Sequence, residues 1–105
     1  MRCERLIGLA LLVGCTISEE DFAATYAVTI CDRLEECDKG SYENLYSDAE
    51  DCEDDWEDGA ELFMSGADFL GADYSEEKAR DCIDEIRAAE CGTFSSGKYD
   101  CDIYE

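Results

Sequence analysis

Apolar positions recur along this chain with the spacing of helices, and they fall into three blocks. The first block is Phe22, Tyr26, Ile30, Leu34 and Cys37, with Ala23 and Ala27 beside them. Intervals of three and four residues place these side chains on one helical face. The pattern predicts a helix over Glu19–Asp38. Ser18 is placed to cap it, and Glu19, Glu20 and Asp21 suit the positive end of its dipole. Lys39-Gly40 reads as its stop.

Ser41–Tyr46 reads as a loop or a single turn, with Tyr42, Leu45 and Tyr46 available to pack. Ser47-Asp48-Ala49-Glu50 has the form of a capping box and opens a second helix, Asp48–Met64. Ala49, Cys52, Trp56, Gly59, Ala60 and Phe63 line one side of that helix, and acids fill the other. Ser65–Tyr74 is an apolar connection holding Phe69 and Leu70. Ser75 then caps a third helix, Glu76–Cys91. Ala79, Cys82, Ile83, Ile86 and Ala89 face inward, Arg80 and Asp84 form an i,i+4 pair, and Gly92 is the stop. The tail, Thr93–Glu105, carries Phe94, Tyr99, Ile103 and Tyr104. The fold class expected is all-α: a small three-helix domain over residues 19–105.

The N-terminus follows a different pattern. Arg2 and Arg5 precede an unbroken apolar run, Leu6 to Val13, which Gly14 and Cys15 close. Such a run is the core of a signal peptide and is shorter than the roughly 18 residues that span a bilayer. A lipid-modifying enzyme needs a thiol just past the apolar run, with a small residue before it for cleavage. Leu12-Val13-Gly14-Cys15 meets both needs and resembles the lipobox of bacterial lipoprotein signal peptides. That resemblance implies removal of residues 1–14, acylation of Cys15 (palmitate among its chains) and a short tether over 15–18. Thr16 after the cysteine implies sorting to the outer membrane. The membrane is then a partner, through the lipid on Cys15.

Charge narrows the partners further. Among 105 residues, 29 are acidic and 8 basic, a formal charge of −21. Nucleic acid needs a Lys/Arg surface, so it is excluded as a partner. Docking on anionic lipid by charge is opposed in the same way. Self-repulsion of this size destabilises a small compact state, so something besides the core must hold it.

The cysteines fill that need. Cys3 leaves with the signal and Cys15 takes lipid; Cys31, Cys37, Cys52, Cys82, Cys91 and Cys101 remain. An even number in an exported small domain reads as a disulfide framework. Six cysteines allow 15 connectivities. Cys31 and Cys37 are roughly 9 Å apart along one helix, and Cys82 and Cys91 roughly 13 Å. Neither pair can meet the roughly 7 Å Cα limit of a bridge. Among the pairings that remain, Cys37–Cys52, Cys31–Cys82 and Cys91–Cys101 are favoured. They would join helix one to helix two, helix one to helix three, and the tail to the last helix.

Together with the lipobox, Cys-Asp-Arg-Leu-Glu-Glu-Cys (31–37), Asp-Cys (51–52), Ala-Arg-Asp-Cys-Ile-Asp (79–84), Ala-Ala-Glu-Cys (88–91) and Cys-Asp-Ile-Tyr (101–104) make the chain similar to a loose class of proteins. These are the small cysteine-rich helical lipoproteins of myxobacteria and their relatives. The likeness implies architecture and location. It lends no catalytic residue.

Candidate chemistry is sparse. The chain has no histidine, which removes Ser-His and Cys-His pairs and histidine zinc ligands. Cys-x-x-Cys is absent too, which argues against a thioredoxin-like role. No catalytic residue, metal site or cofactor is expected, and three short helices offer no evident substrate cleft. The acidic run invites a calcium reading. Setting Gly59 at loop position six puts Asp54 first, Trp56 third, Asp58 fifth and Ser65 twelfth. The third ligand and the closing glutamate are missing, so this is no EF-hand. Trp56 reads as core; Tyr99 and Tyr104 are better placed than it for an outside contact, but packing across Cys101 is the role expected of them.

The functional expectation is therefore a non-enzymatic lipoprotein of the cell envelope with a binding or structural role. The alternative is an acidic inhibitor or immunity protein against a basic exported enzyme, with Asp51, Asp54, Asp55 and Asp58 as its contact face. An acidic surface speeds encounter with such a partner.

Overall fold

The computed structural model describes residues 17–99 and 101–105. The signal segment, the lipobox and Cys15 lie outside the described residues. Among the described residues five helices follow in order: α1 Glu19–Cys37, α2 Lys39–Leu45, α3 Ala49–Phe69, α4 Glu76–Ala88 and α5 Cys91–Ser95. The all-α expectation holds, with two short helices beyond the three long ones. An isolated antiparallel bridge pairs Tyr74 with Tyr104. Its flanks are tied by Ser75 N–H donating to Ile103 O at 2.8 Å and Glu105 N–H to Asp73 O at 2.9 Å.

α1 is the central element and packs against each of the other four helices. Phe22, Ala23, Ala27 and Ile30 are buried on it as its periodicity requires, Tyr26, Leu34 and Cys37 of the same face are half-buried, and Cys31 is buried beyond it. Thr29 is buried among them, its hydroxyl satisfied by donating to Thr25 O at 2.8 Å. Ser18 occupies the cap position but does not cap through its side chain. Its hydroxyl donates instead to Asp21 Oδ2 at 2.8 Å. At the other end Asp38 leaves helical geometry, and α2 starts at once on Lys39. Lys39-Gly40 is thus a corner followed by a new helix. Tyr42 makes that helix worth forming, because it is buried against Cys31 and Cys52 in a small second core.

α3 begins as its sequence indicates, one residue along. Asp48 is the cap and accepts from Asp51 N–H at 2.8 Å, while Asp51 reaches back to Ser47 N–H at 3.1 Å. The helix outruns its expected end at Met64 by five residues. Gly66 costs about 1 kcal/mol relative to alanine in mid-helix, too little to stop a helix held at both ends. The stop is at Gly71, whose φ of 84° no other residue adopts as cheaply. Gly71 N–H bonds Asp68 O at 3.0 Å and Ala72 N–H bonds Ala67 O at 3.0 Å, a Schellman motif.

α4 is capped by Ser75, which accepts from Lys78 N–H at 3.1 Å, and buries Ala79, Cys82, Ile83 and Ile86 as expected. It ends at Ala88, three residues early, because Ala89 turns extended. Gly92 lies inside α5 rather than stopping α4. The main core gathers Ile30 from α1, Ile83 and Ile86 from α4, and Ile103 from the tail, each nearly inaccessible.

The bridges are Cys31–Cys52, Cys37–Cys91 and Cys82–Cys101, with Cα separations of 6.1, 5.1 and 4.5 Å. This connectivity corrects the favoured one in all three pairs, Cys37–Cys52, Cys31–Cys82 and Cys91–Cys101. Cys31–Cys37, both on α1, is not bridged, and neither is Cys82–Cys91, although Cys91 lies on α5 rather than on the helix of Cys82. α2 is the reason for the first change. Its seven residues separate the end of α1 from the start of α3, which runs back along α1. That antiparallel register sets Trp56 on Tyr26 (6.2 Å between rings) and Cys52 opposite Cys31. Cys37 is then left at the end of α1, where the α4–α5 corner brings Cys91. Cys82 takes the returning tail.

Candidate binding groove and acidic face

Asp51, Asp54, Asp55 and Asp58 are all exposed along α3. Two of them have work inside the fold. Asp51 accepts from Ser47 N–H at 3.1 Å and from its hydroxyl at 3.3 Å. Asp55 accepts from Tyr46 O–H at 3.1 Å, and that oxygen accepts from Trp56 Nε1 at 3.1 Å. Asp54 and Asp58 project from the same run. Like charge crowds Glu53, whose carboxyl is raised above its ordinary value. Burial is the first cause, and the charges of Asp32, Asp54, Glu50 and Glu57 add to it. Acids also cover the outer sides of α1 and α4, so the negative field surrounds the molecule. Among the described residues no three acidic, cysteine or histidine side chains converge as metal ligands would.

Beside this run lies a groove of about 540 Å³. Phe22 and Tyr26 of α1 form one wall, Trp56, Ala60 and Met64 of α3 the other, and Cys101 and Ile103 of the tail close it. Asp55 stands at its rim. The groove exists because Gly59 and Ala60 separate Trp56 from Phe63 and Met64, and a Cβ on Gly59 would meet nothing within 4 Å. That pair of small residues within an apolar face is the sequence signal for it.

The lining is aromatic and apolar. Phe22 stacks on Tyr26 at 5.6 Å, and Trp56 meets Tyr26 edge-on. Burial pushes the Tyr26 phenol up to about 12, aided by the charge of Tyr99 and a hydrogen bond with it. Tyr74 behind the wall is raised by burial and by Glu76, Glu19 and other neighbours. The phenols around the groove are therefore neutral near pH 7. Such a site suits an apolar or aromatic group, with one carboxylate at the rim to meet a cation.

Trp56 is half-buried between this groove and the second core, a wider role than the packing expected of it. Tyr99 stacks on Phe94 at 6.0 Å, and Tyr104 sits between Phe63 and Tyr74 at 6.2 Å from each. Both tail tyrosines pack rather than project. No family model, curated protein or solved structure matches the chain.

Proposed function

We propose that the mature chain is a non-enzymatic lipoprotein of the cell envelope, held to the outer membrane by lipid on Cys15, with a binding role centred on the aromatic groove. The lipobox carries the anchor part of this reading. It ends two residues before Ile17, whose carbonyl accepts the Tyr74 hydroxyl at 2.6 Å. The lipid would therefore attach to the domain with almost no tether. The groove carries the binding part, because nothing in the core requires an open aromatic cleft. Its chemistry favours an apolar segment over a polar substrate.

A second reading is an inhibitor or immunity protein against a basic exported enzyme. Asp55 beside Trp56 and Tyr26 favours it, since a salt-sensitive contact of this kind sets an aromatic centre within an acidic rim. Mass spectrometry of the mature N-terminus tests the anchor: an acylated Cys15 is expected, and an intact Met1 or a free Cys15 thiol would overturn it. Titration of Trp56 emission with a fatty-acid probe and with a basic amphipathic peptide separates the two binding roles. Peptide binding that falls steeply between low salt and ~0.15 M, where the Debye length is about 8 Å, favours the second.

A further inference from the structure

The C-terminal corner of α3 is apolar and uncovered. Phe69 is 89% exposed, Leu70 82% and Leu62 77%. Leu62 and Phe69 are seven residues apart, two turns along one side of the helix, and Leu70 continues their surface at the helix end. The Schellman turn at Gly71 fixes this corner, so its exposure belongs to a defined backbone.

This corner lies at the same end of the domain as the start of α1. Asp68 stands close enough to Glu19 to raise its carboxyl, and Tyr74, just past the turn, donates to Ile17 O at 2.6 Å. Cys15 precedes Ile17 by two residues, which bounds their Cα separation at about 7 Å. A lipid on Cys15, two residues before Ile17 in the chain, would enter the domain from this end. A single acyl chain anchors only marginally, and apolar side chains at the interface add to it.

Resting on the lipid-anchor reading, we propose that Leu62, Phe69 and Leu70 form a second membrane contact, seating this corner of the domain in the headgroup region of a phosphatidylethanolamine bilayer. The charge around the corner selects that lipid. Glu61, Asp68 and Asp73 lie next to or near Leu62, Phe69 and Leu70 in the chain, and Glu19 lies by Asp68. Carboxylates are repelled by anionic headgroups and accept hydrogen bonds from the ammonium of phosphatidylethanolamine. α3 then leaves the membrane with the groove held above the surface.

The test uses the full mature lipoprotein in phosphatidylethanolamine vesicles carrying brominated acyl chains. A Phe69→Trp variant places an indole at the corner, while Trp56 stands roughly 20 Å back along the helix as an internal reference. The introduced indole is expected to shift to the blue and be quenched by bromine, with parent emission unchanged. Exchange between vesicles should quicken about a hundredfold in a Phe69→Ser, Leu70→Ser variant, since each exposed side chain carries roughly a tenfold change in partition or more. A Cys15 shown by mass to be acylated, with water-like and unquenched emission from the variant, would overturn the seating and leave the anchor standing. A blue-shifted but unquenched indole with a dimer in sedimentation would also overturn it, giving the corner to a second copy. An unmodified Cys15 would overturn the anchor and the seating together.

Discussion

The guanidinium of Arg33 on α1 donates to the carbonyl of Ala89, the residue on which α4 breaks off. The same side chain pairs with Glu36 at 2.6 Å and lies over the Phe94 ring at 5.8 Å. One arginine thus satisfies a helix end, supports α5 and holds α1 against the corner that Cys37–Cys91 staples.

Arg33→Ala should therefore destabilise more than a surface change. The lost charged hydrogen bond is worth about 1.5–3 kcal/mol, and the ring contact adds about 0.5–1 kcal/mol. A drop of roughly 10 °C or more in the thermal midpoint is expected, at about 4–8 °C per kcal/mol for a domain this size. Arg33→Lys should recover little, because an ammonium does not reproduce the planar fork. Equal midpoints for parent and alanine variant would show that the contact carries no stability.

Cleavage of the unreduced protein and mapping of the linked peptides should return Cys31–Cys52, Cys37–Cys91 and Cys82–Cys101. Replacing Cys31 and Cys52 together by serine should cost about 2–5 kcal/mol. Both are buried in the small core with Tyr42, so hydroxyls there also lack the apolar fit. Full reduction should abolish cooperative melting. Recovery of a Cys37–Cys52 peptide would reject the antiparallel register of α1 and α3 as well as the bridge.

Much of this fold was legible where periodicity and caps agree. α1 buries Phe22, Ala23, Ala27 and Ile30, α4 buries Ala79, Cys82, Ile83 and Ile86 as their spacing selects, and Ser75 caps as its place suggests. The connectivity was not legible, because it depends on α2. Ser41–Tyr46 is too short and too polar to signal a helix, yet Tyr42 is buried against the Cys31–Cys52 bridge, a pocket the local sequence does not show. The end of α3 was hidden for the opposite reason. Ser65-Gly66 looks like a break, and the signal that decides is Gly71, five residues on. The groove was overlooked because Trp56 reads equally well as core, whereas Gly59-Ala60 records the missing volume.

Gly59→Ala should raise stability by about 0.8–1 kcal/mol, the helix-propensity difference. Gly59 is helical, its φ is not in the left-handed region, and the added methyl meets nothing within 4 Å. The methyl also enters the groove. A variant that melts higher but binds an apolar probe less well would identify Gly59 as a residue kept for the cleft. A lower melting midpoint would show that the groove closes in solution.

Acid should stabilise this protein over the first steps below neutrality, contrary to the behaviour of proteins held by carboxylate ion pairs. Glu53 is raised by burial and by its acidic neighbours, and Glu19 by desolvation, its hydrogen bond with Asp68 and the charge of Asp68. For a group whose folded pKa lies above its unfolded value, the native state binds more protons, so stability falls as pH rises through the folded pKa. The stabilisation is complete below the unfolded value, about 4.3 for glutamate. The thermal midpoint should therefore rise as pH is lowered from 7 to about 5. Salt should reproduce part of the rise at pH 7 by screening the exposed acids. Glu53→Gln should melt higher than the parent at pH 7 and show a flatter pH profile. A midpoint that falls steadily from neutrality would mean that carboxylates act as net acceptors of favourable contacts in the native state, and that the acidic run on α3 is held by partners rather than by the bridges.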